Sequence, residues 1–295
     1  MLRHLRLHRQ YLHARGWHSS EYFRLSREVD EAVRAKRPVI ALESTILTHG
    51  LPAKKALQLT KELEQMVITA GVVPATIGIL DGKLIVGMSQ LEQTALISEA
   101  ERNLAGKAAL KDLPLILSGA TKHRSFGTTV SATLFAAHKA NIPIFATGGI
   151  GGVHRGAEST FDISSDLVAL SQFPMAVVSA GVKSILDIPK TLELLETLSV
   201  TVATHASDEF PAFFTSKSGV KSPGRVDSPA EAAKILKIIK SQLKTKQGFL
   251  VAVPNLSTSD LIGQEIEQAI QTAISEVIEC TDSVCLHCHM QTLNL

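Results

Sequence analysis

Cysteine is nearly absent from this 295-residue chain, and the three present, Cys280, Cys285 and Cys288, crowd near the C-terminus. No disulfide framework supports the fold, and a reducing compartment is the default. Aromatics make up 4% of the residues, too few for a platform on which nucleic-acid bases would stack. An excess of one charge is missing too: 30 Lys and Arg against 28 Asp and Glu leave +2, which gives no electrostatic reason to expect a nucleic-acid partner. No apolar run approaches the roughly 20 residues that a bilayer helix needs, so no membrane partner is expected. What the chain does have is 45% apolar residues, enough for the full core of one large α/β domain or two small ones.

Residues 1–20 carry Arg3, Arg6, Arg9 and Arg15 among leucines, with no acidic residue before Glu21. That composition is expected of a mitochondrial presequence, and a disordered basic tail is the alternative. Residues 1–25 are therefore set apart from the fold, which is expected over 26–278, with an atypical Cys/His tail over 279–295. In that tail the spacing Cys-x4-Cys-x2-Cys, beside His287 and His289, lacks the second distant pair of a structural zinc site.

Between these ends, helical and strand-like stretches alternate. REVDEAVRAKR reads as a helix and RPVIALEST as a short buried strand. KKALQLTKELEQMVITAG is an amphipathic helix closed by Gly71, and Asp81-Gly82 between two apolar runs predicts a two-residue hairpin. LEQTALISEAERNLA is helical; in GKAALKDLP a helix would put Lys107 and Lys111 on one face. ATKHRSFG reads as a polar loop, and Thr128 and Thr129 fall where the next helix begins, a place suited to an anion or simply to a capping hydroxyl. The alternation continues to GFLVAVPN and predicts an α/β fold with a mostly parallel central sheet, the hairpin being an antiparallel addition.

The stretch Ile142 to Asp187 holds most of the chemistry. Its TGGIGG run follows a strand reading and lets a ligand approach the backbone closely, but neither the dinucleotide fingerprint nor the P-loop is there. Arg155 suits a phosphate or carboxylate, or equally a salt bridge to Glu158. Asp162 and Asp166 lie four apart; on one helix they would share a face and favour a divalent cation, and N-capping is the alternative. Lys183 follows the strand reading Ala176 to Ser179 and the turn Ala180-Gly181. A lysine at the C-terminal edge of a buried parallel strand, near another cation such as Lys107, is a candidate amine nucleophile toward a sugar carbonyl, unless it only snorkels to solvent. Glu43, ending the VIAL run, is a candidate proton donor.

Taken together, ALESTILTHGLP, VPATIGILDGKLIVGM, GTTVSAT, FATGGIGGVHRGAESTFDISSDL and SAGVKSILDIPKTLELLET resemble the pseudouridine-5'-phosphate glycosidases, also called the indigoidine synthase A-like family. The similarity runs from about Val39 to Asn255. It implies cleavage of the carbon-carbon glycosidic bond of pseudouridine 5'-phosphate to uracil and ribose 5-phosphate, in a homotrimer of three-layer α/β/α subunits that uses a divalent metal, commonly manganese. The resemblance assigns Lys183 as the lysine that forms a Schiff base with the ring-opened ribose and Glu43 as the acid-base glutamate. It assigns Lys107, Val130, Ser164, Ser165 and Asp166 to substrate contacts and Asp162 to the metal. The family usually continues past the helix near residue 278 with a GKxxTPFLL segment and a further helix, in place of which this chain has ECTDSVCLHCHMQTLNL. A C-terminally shortened form is therefore expected, and with it an alternative function: a non-catalytic subunit that assembles with full-length copies. A generic phosphosugar aldolase or lyase is the third reading.

Overall fold

The computed structural model describes residues 20–256, 262, 263, 265, 266, 268–270 and 272–274. Most of the basic segment and all of the Cys/His tail lie outside the described residues. The chain divides after Pro143 into two compact units, and each is built by its own rules.

The first unit contains, in order, β1 (Phe23–Leu25), α1 (Arg27–Arg34), β2 (Val39–Leu42), α2 (Thr45–Thr48), α3 (Ala53–Thr69), β3 (Val73–Leu80), β4 (Lys83–Val86), α4 (Gln90–Glu101), β5 (Ala105–Ala108), α5 (Leu113–Leu117), β6 (Ser125–Thr128) and α6 (Val130–Lys139). Local chemistry explains the helix starts. Ser26 accepts from Val29 N to cap α1, and Ser89 and Glu92 form a reciprocal capping box at α4. Strand β1, within the expected tail, pairs in parallel with β4.

The Asp81-Gly82 hairpin is present: Leu80 faces Lys83 across two residues that both have positive φ, +52° and +73°. Those angles suit the tight turn that matches strand twist, which Asp-Gly tolerates. A second antiparallel pairing was not anticipated. The eight-residue β3 takes β2 in parallel along Val73–Thr76 and then carries β4 and β6 antiparallel along its C-terminal half. Gly78 faces Gly127 in the β3–β6 pair. The core beside this sheet includes Leu47, Ala56, Ile85, Met88, Leu96 and Ile97.

The second unit contains β7 (Ile144–Ala146), β8 (Val153–His154), α7 (Ala157–Thr160), α8 (Ser165–Gln172), β9 (Ala176–Ser179), β10 (Leu186–Asp187), α9 (Ile188–Thr197), β11 (Thr201–His205), β12 (Arg225–Val226), α10 (Pro229–Lys237) and β13 (Phe249–Ala252). Strands β7, β9, β13, β11 and β12 pair in that order, all parallel, and β8 with β10 makes a small separate antiparallel sheet. Buried short apolar strands such as FLVA are what a parallel sheet covered by helices requires. Phe249 is fully buried among Ala176, Ala203, Leu236 and Val251, and truncating such a side chain costs about 3–5 kcal/mol. The fold class is therefore α/β, mostly parallel, with a small hairpin sheet. No helix among the described residues is long and apolar enough to cross a membrane.

Candidate active site

The candidate residues fall into two groups, one in each unit. In the first unit, Glu43 is half-buried directly after β2. Its neighbour Ser44 is fully buried, and the Ser44 hydroxyl accepts from Thr128 N at 3.0 Å. Thr45 Oγ1 donates to Thr128 O at 2.8 Å, and Thr128 Oγ1 donates to Ile77 O at 2.6 Å. Thr133 Oγ1 adds a further bond to Thr128 Oγ1 at 3.0 Å. This hydroxyl lattice pins the segment after Glu43 to the end of β6.

Two glycines make room for that segment. A Cβ at Gly127 would lie 2.6 Å from Ser44 O, and one at Gly78 would lie 2.9 Å from Ser44 Oγ. Lys107 sits opposite Gly127 in the β5–β6 pair, so the row Lys107, Gly127, Gly78 brings the lysine to the flank of residues 44–49. Its charge is felt there: the His49 imidazole is held below its ordinary value by desolvation first and by the Lys107 ammonium second. Lys107 is exposed on a strand, not on a helix. The shared face with Lys111 does not exist, because a short 3-10 turn, Leu110–Asp112, follows β5.

Thr129 caps the position before α6 without a side-chain capping bond, and Val130, the first residue of that helix, is buried.

In the second unit the TGGIGG run lies beside the residues that follow it. Gly151 N donates to Asp166 Oδ2 at 2.9 Å, and Asp166 is buried in the first turn of α8. Ser164 is the N-cap of α8, its hydroxyl accepting from Asp166 N at 3.2 Å, and Ser165, half-buried, is the first helical residue. Asp162 is not on that helix. Phe161, in left-handed conformation at φ +53°, turns the chain out of α7, and His154 N donates to Asp162 O at 3.0 Å. The two aspartates therefore do not share a helix face. Arg155 donates to Ser184 O at 3.3 Å, whereas Glu158 pairs with Lys190 at 2.7 Å, so of the two readings of Arg155 the salt bridge to Glu158 is not seen.

Asp162 is suited to a metal. Its Oδ2 is buried and accepts no hydrogen bond among the described residues, and His154 Nδ1, an ion-pair partner only when the ring is protonated, stands at 3.7 Å. A buried carboxylate oxygen without a donor is costly unless a cation satisfies it. No group of three or more His, Cys, Asp or Glu suited to a metal occurs among the described residues, and a lone carboxylate suits only an ion that keeps most of its waters.

Lys183 lies just beyond the C-terminal end of β9, after a turn at Gly181 with φ +100°. Its backbone N donates to Ile150 O at 3.0 Å. The side chain is half-buried and makes no hydrogen bond or ion pair among the described residues. Sequence reasoning missed three supports. Thr191 Oγ1, fully buried, accepts from Val153 N at 2.9 Å and donates to Asp187 O at 2.6 Å. Ser179 Oγ clasps Gly181 through its N and O, at 3.2 and 3.1 Å. The segment Phe210 to Thr215 packs against Gly149 and Gly181. Only the Ser-Ala-Gly spacing at 179–181 offered a signal.

In the second unit, parallel strands β7 and β9 lead at their C-terminal ends into the glycine run and the turn before Lys183, the edge of an open α/β sheet where ligands generally bind. A family model described as indigoidine synthase A like protein matches residues 28–281; the chain belongs to this family. Curated relatives named pseudouridine-5'-phosphate glycosidase include one from Arabidopsis thaliana, 48% identical over 87% of this chain and 76% of its own length. Another, from Caldanaerobacter subterraneus subsp. tengcongensis, is 46% identical over 87% and 81%. Among solved structures, the prealnumycin C-glycosynthase AlnA in complex with ribulose 5-phosphate is 35% identical with a TM-score of 0.75, over 88% of this chain and 82% of that one. An indigoidine synthase A-like protein from Thermotoga maritima is 32% identical with a TM-score of 0.74, over 86% and 81%.

Proposed function

We propose that this protein cleaves the C1'–C5 glycosidic bond of pseudouridine 5'-phosphate, consuming water and giving uracil and ribose 5-phosphate. The relatives' names and the phosphosugar in the AlnA complex support the substrate class. The observation that carries the reading is Lys183, a half-buried amine at a strand end whose side chain is not engaged elsewhere among the described residues.

A C-glycoside has no heteroatom leaving group, so simple protonation would have to expel a carbanion-like uracil. The Lys183 amine instead attacks C1' as the C1'–O4' bond breaks, and Glu43 protonates O4'. The attached nitrogen then returns a proton to Glu43, and a proton added to uracil C5 lets the C1'–C5 pair go back into the ring as its C5–C6 double bond while the nitrogen lone pair forms an iminium at C1'. Water adds to C1' and releases ribose 5-phosphate and free Lys183. Asp162 would hold a divalent metal, probed as manganese, which when bound supplies positive charge beside anionic oxygens. Lys107, Val130, Ser164, Ser165 and Asp166 are assigned to the substrate, Lys107 by its charge. Assembly as a homotrimer belongs to the same reading and is checked by light scattering.

Incubation with pseudouridine 5'-phosphate and manganese should release uracil, and borohydride should trap a ribose adduct on Lys183. Neither uracil nor adduct would overturn the reading and leave the non-catalytic subunit. Uracil without an adduct would overturn the lysine mechanism alone.

A further inference from the structure

We propose that Phe213 is a positioning residue for Lys183, acting through the backbone of Gly149; the catalytic part of this rests on the function proposed above. The segment Phe210 to Thr215 is a strap within the second unit. Phe210 is fully buried, and its N donates to Val220 O at 2.8 Å. Ala212 N donates to Thr215 O at 3.0 Å, and Ala212 makes an isolated antiparallel bridge to Gly181. This tight turn holds Phe213 at φ +65°, a conformation that a bulky side chain adopts only where its surroundings enforce it. Phe214 stacks edge-on against it, with ring centroids 4.7 Å apart.

The enforced conformation lays the Phe213 ring on the glycine run. A Cβ at Gly149 would lie 2.6 Å from Phe213 Cδ2 and 3.4 Å from Gly181 O, so ring, glycine and turn meet at one point. The next residue, Ile150, donates its N to Gly181 O and accepts from Lys183 N, both at 3.0 Å. A buried Gly149, pressed by the ring, is thus one bond in the chain from the residue that sets the Lys183 backbone. On the other side, a Cβ at Gly181 would lie 2.8 Å from Pro211 O, so the strap also fixes the turn that precedes the lysine. Ring and strap together decide the direction in which the amine leaves the sheet.

The test is a coupling cycle in the full chain: Gly149→Ala, Phe213→Ala and the double variant, with Phe213→Tyr as the ring-retaining control. Lys183 reactivity is read without substrate, by reductive methylation with formaldehyde and cyanoborohydride across pH, followed by mass spectrometry, with exposed Lys61 as internal reference. Each single alanine variant should change Lys183 labelling at least threefold relative to Lys61, Phe213→Tyr should stay within twofold, and the double variant should deviate less than Gly149→Ala because the ring is gone. Borohydride trapping with pseudouridine 5'-phosphate should follow the same order. Unchanged Lys183 labelling in the alanine variants, or strictly additive effects, would overturn the proposal. If Gly149→Ala does not fold, the Phe213 pair decides. Labelling that responds while the unsubstituted chain traps no adduct would sink the glycosidase reading and keep the strap's role.

Discussion

The two units hold their candidate residues by different means. In the first, a mixed sheet with two antiparallel pairings sets Glu43 through buried hydroxyls, Ser44, Thr128 and Thr133, and sets Lys107 through a strand register. In the second, an all-parallel run of strands ends in loops, where Lys183 and Asp162 are set mainly by backbone bonds, glycines and a strap, with the hydroxyls of Ser179 and Thr191 bonding to the backbone, and Asp166 is held by Gly151 N and the Ser164 hydroxyl. The hydroxyl lattice makes a rigid acid position whose failure would show as lost stability. The glycine and strap arrangement puts its specificity in close approaches, whose failure would show as misdirected chemistry.

The sharpest way to break this contrast lies in the second unit. Lys183→Ala should abolish the trapped adduct and lower uracil release by about 10⁴-fold or more, with an unchanged thermal transition, as expected for a nucleophile that supports no packing. Asp162→Asn should weaken manganese dependence by at least roughly tenfold, measured as the metal concentration for half-maximal uracil release; an unchanged requirement would remove Asp162 from the metal. The first unit should answer differently. Ser44→Ala leaves Thr128 N without its acceptor and should cost about 1–3 kcal/mol, a fall of about 2–4 °C per kcal/mol in the melting transition.

The smallest effect concerns pH. Because burial and Lys107 hold the folded His49 imidazole below its ordinary 6.5, the unfolded chain takes up that proton first as pH falls. Stability is therefore lost as pH drops through 6.5 toward the folded value, and at higher pH His49 contributes nothing. His49→Gln should flatten this acid-side loss in denaturant titrations at several pH values, and Lys107→Met should raise the His49 titration followed by NMR.

Much of this was readable from residues alone where the signal is local. Asp81-Gly82 marked the hairpin because both residues accept positive φ, and AVVS and FLVA marked buried strands by composition. Lys107 escaped because four residues, Ala105–Ala108, become a strand only by pairing with β6. The spacing of Asp162 and Asp166 suggested one helix face, but the extended N-cap Ser164 lies between them, so the helix starts at Ser165 and leaves Asp162 outside it. No local signal marks the strap, because its order comes from Gly149 and Gly181, which are distant in sequence.

The sequence by itself determined the α/β class, the hairpin and the strand that precedes Lys183, since these follow from periodicity and turn chemistry, and it named the candidate site residues. Tertiary structure alone decided that Ser44 would be tied to Thr128, that Asp162 would keep a carboxylate oxygen without a donor, and that Phe213 would rest on Gly149. Each of these depends on atoms brought together from far along the chain, where burial sets the strength of every bond made or left unmade.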